Sequence, residues 1–182
     1  MSKDISLTFS LAVSEVDREG RRYRLRASEE ECKALAGRFD LVDFSRLEAD
    51  VEVKDKGAEA GIEIAGTLEA VLTQRCIVTL DPVAESIKTD FTLMLVEPEM
   101  ADRMDEEEVY LDPDAPEYDA LEGDNIPLGE IIAQTVSINM DPYPRVEGAE
   151  LSVDNKKDIS VNAPEMKRPN PFAALEKLRK ES

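Results

Sequence analysis

The sequence predicts an α+β domain: an antiparallel twisted sheet with two packed helices, an acidic loop and a short C-terminal helix. Three observations predict it. Alternating apolar and polar residues recur in short runs as far as Leu95, the pattern of half-buried strands. Two segments, 28–39 and 128–140, change to the helical period. Between the last strand and the second helix lies a block of acid. Residues 97–124 hold 13 acidic residues and one basic residue, Arg103, so this block carries −12 of the net −19 and the rest of the chain −7.

Each element follows in chain order. Leu7, Phe9, Leu11 and Val13 share one parity and read as a first strand. Asp17 to Gly20 supplies a turn, and Arg22 to Arg26 forms a second alternating run, so the two runs read as a hairpin. Ser28 and Glu31 make a capping box for a helix whose apolar face is Cys32, Leu35, Ala36 and Phe39. Val42 and Phe44 share one parity and Leu47, Ala49, Val51 and Val53 the other. The phase slips near Ser45 and Arg46, as at a β-bulge. After a loop over 55–61 come two more runs, 62–72 and 87–95, separated by the Asp81-Pro82 turn. Short turns between strands favour antiparallel pairing with one face on a core. The acidic block has little to bury and is expected to be a loop. Pro127 fits the first turn of a helix with the stripe Leu128, Ile131, Ile132 and Val136, which Asp141-Pro142-Tyr143-Pro144 stops. The core domain is thus expected over 1–146, with the acidic loop 97–124 inside it. A polar linker and short helix are expected over 147–182, the helix capped by Asn170 with Pro171 at its first position.

Composition removes several function classes. With 182 residues, one core can bury about 70% of the surface the unfolded chain exposes, without disulfide or metal. There is no histidine, so Ser-His-Asp and Cys-His triads and His-ligated zinc are excluded. Met1-Ser2-Lys3-Asp4 opens no apolar signal segment, and no run approaches 18 apolar residues. The expectation is a cytoplasmic chain with no membrane span, and with Cys32 and Cys76 as free thiols.

Four features are candidates for function. Arg22, Arg24 and Arg26 point the same way on a strand and form a row that could follow an RNA backbone. The alternative is a solvated face balanced by Glu63, Glu69 or the acidic loop. Glu106, Glu107 and Glu108 are candidate partner-binding residues. Calcium-loop spacing is absent around them, so no metal site is expected. Cys76 lacks a histidine base and reads as a buried structural thiol rather than a nucleophile. At the C-terminus, Asn170, Pro171, Phe172, Leu175 and Leu178 mark a helix too short to stand alone, which packs on its own domain or in a partner's groove. No cofactor, small-molecule substrate or catalytic residue is expected.

Three stretches carry a resemblance. They are Gly66 through Thr73-Gln74-Arg75-Cys76 to Val78, Ile126-Pro127-Leu128-Gly129-Glu130 through Asp141-Pro142-Tyr143-Pro144-Arg145, and Asn170-Pro171-Phe172-Ala173-Ala174-Leu175. In this order they resemble the YceD family, the large ribosomal RNA subunit accumulation proteins. Two positions depart from the family's pattern. Thr73 stands where many members have a first cysteine paired with Cys76, which removes support for a cysteine-based metal site. Pro127 stands where the family often has Asp. The resemblance implies a factor for accumulation or processing of 23S ribosomal RNA with no known enzymatic activity. Its partner would be ribosomal RNA or a large-subunit ribosomal protein. A protein-only adaptor, binding a basic partner through the acidic loop or C-terminal helix, is the other expectation.

Overall fold

The computed structural model describes residues 2–58, 60–106 and 117–149. The chain divides into two units, 1–149 and 150–182, and the fold concerns the first. Its centre is a meander of three long strands: β4 (Asp43–Asp55), β5 (Ile62–Arg75) and β6 (Pro82–Val96). Period-two alternation puts Leu47, Ala49, Val51 and Val53 of β4, with Ile64, Leu68, Ala70 and Leu72 of β5, on one buried face. Two helices cover that face. α1 (Glu29–Arg38) packs against β4, and α3 (Leu128–Asn139) packs against β5 and β6. Cys32 and Leu35 of α1, and Leu128, Ile131, Ile132 and Val136 of α3, join one core with the strands. The capping box forms: the Glu31 N–H donates to Ser28 Oγ at 3.3 Å, and the Ser28 N–H to Glu31 Oε2 at 2.8 Å. The expected bulge is present as a register shift between Phe44 and Arg46.

The sheet is mixed rather than antiparallel. Its order is β1-β3-β4-β5-β6-β7, with β1 (Ser2–Ile5), β3 (Arg21–Arg26) and β7 (Glu117–Ala120). The outer pairs β1·β3 and β6·β7 are parallel. Parallel neighbours need a connection of a dozen or more residues, and 6–20 and 97–116 provide it. The expected first hairpin is therefore replaced. Residues 6–9 make a turn, closed by the Phe9 N–H on the Ser6 carbonyl at 3.0 Å. Leu11 and Ala12 form β2, which pairs with β8 (Asn125–Ile126) and not with 22–26. Leu7 and Phe9 keep the apolar parity of a strand because the turn itself packs on the core.

Leu7 lies where two helix starts meet. Its N–H donates to Glu31 Oε1 at 2.9 Å. Its carbonyl lies so close to Gly129 that a Cβ there would overlap it. Glycine is what lets the first turn of α3 approach that backbone.

The described parts of the acidic block form regular structure where a loop was expected. Pro98–Glu106 forms a helix, α2, and β7 and β8 follow. Met100, Ala101 and Met104 share one face of α2, and Ala101 is buried. The Leu121 N–H donates to the Val96 carbonyl at 2.7 Å. Charge density concealed these few apolar residues, whose spacing was sufficient for a helix.

Candidate interaction surfaces

The arginine row exists, but it is one half of a ladder. Arg22, Arg24 and Arg26 are exposed on β3, while Tyr23 and Leu25 between them are buried. The antiparallel register sets Glu52, Asp50 and Glu48 of β4 directly opposite. The closest approaches are Arg22–Glu52 at 3.6 Å, Arg24–Asp50 at 2.8 Å and Arg26–Glu48 at 3.5 Å. Arg24 grips both Asp50 oxygens, at 2.8 and 2.9 Å. This fork holds the Asp50 carboxyl below its ordinary range and raises the guanidinium. The ladder continues across the sheet, where Glu69 meets Lys88 at 2.7 Å and Arg46 at 3.0 Å. Lys88 first, then Arg46, lowers the Glu69 carboxyl. Among the described residues the balancing acids are thus those of β4, and not Glu63 or Glu69. A phosphate approaching this row must displace carboxylates already in place.

Cys76 ends β5 in a tight loop. Its N–H donates to the Asp81 carbonyl at 2.8 Å, and the Leu80 N–H donates to its carbonyl at 3.0 Å. The sulfur is buried, yet three backbone N–H groups point at it, from Val78, Thr79 and Val146, each at 3.4 Å. The Thr79 hydroxyl, then these amides, stabilise the thiolate. Burial opposes them and is outweighed, so the pKa falls to about 6. Cys32 shows the opposite case, since burial first, and then nearby acids, push its thiol up.

The loop that holds Cys76 also gathers apolar surface. Among the described residues five large apolar side chains stand exposed: Val42, Ile77, Leu80, Ile138 and Tyr143. Backbone hydrogen bonds hold Val42, Ile77 and Leu80 at one end of the sheet, and Ile138 and Tyr143 flank Asp141, which is held at the same end. The Val42 N–H donates to the Thr73 carbonyl and the Ile77 N–H to the Pro144 carbonyl, both at 2.9 Å. The Gln74 side-chain amide donates to the Asp141 carbonyl, two residues from Tyr143 and three from Ile138. Asp40 and Leu80, the non-glycine residues with positive φ among the described residues, at 52° and 64°, lie at this same end. Left-handed backbone in a leucine costs about 1–2 kcal/mol. Sequence reasoning missed this surface, although Ile138 lies off the buried stripe of α3 and was the available signal.

Elsewhere, Arg38 of α1 clamps Glu130 of α3 through two bonds, at 2.7 and 2.6 Å. Glu106 closes α2. Glu107, Glu108, Asn170, Pro171, Phe172, Leu175 and Leu178 lie outside the described residues. Among the described residues no group of three acidic or cysteine side chains comes together as a cation site. No helix among them is long and apolar enough to cross a membrane.

A family model, large ribosomal RNA subunit accumulation protein YceD, matches residues 64–179. The chain belongs to the YceD family. The YceD match takes in the Cys76 loop, α3 and four of the five exposed apolar residues, and begins after the arginine row. No curated protein and no solved structure matches the chain.

Proposed function

We propose that this chain is a non-catalytic cytoplasmic factor that supports accumulation of 23S ribosomal RNA, and hence large-subunit assembly, by holding a macromolecular partner. The observation that carries this reading is the YceD match over 64–179. Absence of histidine, which removes imidazole-based triads and proton shuttles, supports a binding role over catalysis. The test is depletion of the protein in its own cells, followed by the ratio of large- to small-subunit ribosomal RNA. The ratio falls if the reading holds. An unchanged ratio, with growth and ribosome profiles also unchanged, would end it.

A second reading is favoured by the ladder on β3 and β4. Arginines already neutralised by Glu48, Asp50 and Glu52 leave RNA little to gain. The chain then acts as an adaptor between proteins. Purification with and without ribonuclease separates the two readings: an adaptor keeps its partners after ribonuclease, and an RNA-bound factor loses them.

A further inference from the structure

We propose that the end of the sheet formed around Val42, the 76–81 loop and the exit of α3 docks a basic polypeptide segment that carries apolar side chains. The proposal goes beyond the role in ribosomal RNA accumulation and holds whatever that role proves to be. Single exposed apolar residues scattered over a surface are ordinary, whereas their concentration in one place is the mark of an interaction site. Here all five exposed large apolar residues of the described fold share one end, with Leu80 at 71%, Ile138 at 73% and Tyr143 at 69% exposure.

Leu80 is the most telling of them. Its φ of 64° is a conformation in which glycine or asparagine is at ease. A side chain that gains nothing from water stands there in water, on a loop tied back at both ends by the Cys76 backbone. Neither conformation nor solvation explains leucine at this position, and contact with a partner does.

Charge selects the occupant. Asp40, Asp81, Asp141 and Glu147 are exposed around this end, against Arg75 and Arg145. Arg75 is in turn engaged by Asp40 at 3.4 Å. An acidic rim on a chain of net charge −19 repels both RNA and a second copy of itself. It draws a lysine- or arginine-bearing segment, which the apolar centre then holds.

The test uses the full chain and labelled synthetic probes at physiological salt. The probes are a lysine–leucine peptide, a lysine–serine peptide of the same length and charge, a glutamate–leucine peptide and a single-stranded RNA oligomer. The lysine–leucine peptide is expected to bind best. Leu80→Gly should weaken it about tenfold, the loss expected for one anchor at an interface centre. Glycine accepts the left-handed backbone, so Leu80→Gly should leave the urea midpoint unchanged or raised, which separates binding from folding. Ile138→Ser on the outer face of α3 is a second variant, with the same expected direction. Equal binding of the two lysine peptides would overturn the proposal, as would full affinity in both variants. RNA binding or self-association that Leu80→Gly abolishes would also overturn it, by putting a different occupant on this surface.

Discussion

At the scale of single residues, Cys76 joins sequence and solution behaviour most directly. Its folded pKa of about 6 lies below the ordinary thiol value of 9.0. Between those values the unfolded chain binds a proton that the folded chain does not, so this thiol makes stability rise with pH from about 6 to about 9. The contribution is complete above that window and is lost as pH falls through 6. Thiolate absorbance, taken as the difference between the wild type and Cys76→Ser, should titrate with a midpoint near 6. Cys32→Ser should leave that midpoint in place. A midpoint at or above 8.5 would show that burial wins over the N–H donors. Glu31 is the other residue with a dual task. Burial opposes its charge, but the Ser28 N–H and hydroxyl and the Leu7 N–H lower its pKa on balance. Glu31→Gln keeps the shape and removes the charge. It should cost about 1–2 kcal/mol in urea unfolding, since hydrogen bonds to a charged acceptor are the stronger kind. A cost below about 0.3 kcal/mol would show the box to be ornamental.

At the scale of elements, α3 sets intrinsic propensity against packing. Alanine is favoured over glycine in a helix by about 1 kcal/mol, so propensity alone predicts that Gly129→Ala stabilises. The Leu7 carbonyl occupies the space that Cβ needs, and backbone cannot swing away as a side-chain end can. Overpacking of this kind costs about 1–3 kcal/mol, so packing wins and the variant should unfold at lower urea. A raised midpoint would mean that the 6–9 turn moves freely. The same contrast explains which elements were legible from residues alone. The capping box, the stripe of α3 and the slip between Phe44 and Arg46 are local, so spacing reveals them. The partner of a strand is not local. Leu11 pairs with Ile126 across most of the unit, and Ser2 with Arg22 in parallel, and alternation is the same whichever neighbour is chosen. The candidate sites divide in the same way. The outward row of arginines was legible, because alternation decides it. The acids opposite depend on the register of β3 on β4, and the left-handed Leu80 depends on how the Cys76 loop closes.

At the scale of the whole molecule, the unit over 1–149 presents two surfaces of different character, and net charge decides how each meets RNA. On the sheet face, arginines and carboxylates stand in matched rows, with little net field. Pairs this exposed contribute little to stability, so their main effect is on what the face can bind and not on the fold. Replacing Arg22, Arg24 and Arg26 with alanine should therefore leave the protein folded. If RNA does contact this face, binding should weaken and its salt dependence flatten. Unchanged RNA crosslinking in that variant would remove the row from consideration. The converse substitution is more discriminating. Glu48, Asp50 and Glu52 changed together to glutamine or asparagine would leave the three guanidinium groups unpaired on a flat face, with the register unchanged. Each cation that then engages a phosphate adds about 0.7–0.9 to the salt slope of binding, depending on the strandedness of the RNA. If the carboxylates mask the row, this variant should bind single-stranded RNA more tightly than the wild type at low salt and lose the gain steeply as salt rises. Anisotropy titrations at several ionic strengths read both quantities. Equal affinity and slope in the two proteins would show that the acids mask nothing, and that the rest of a chain this acidic already keeps RNA away.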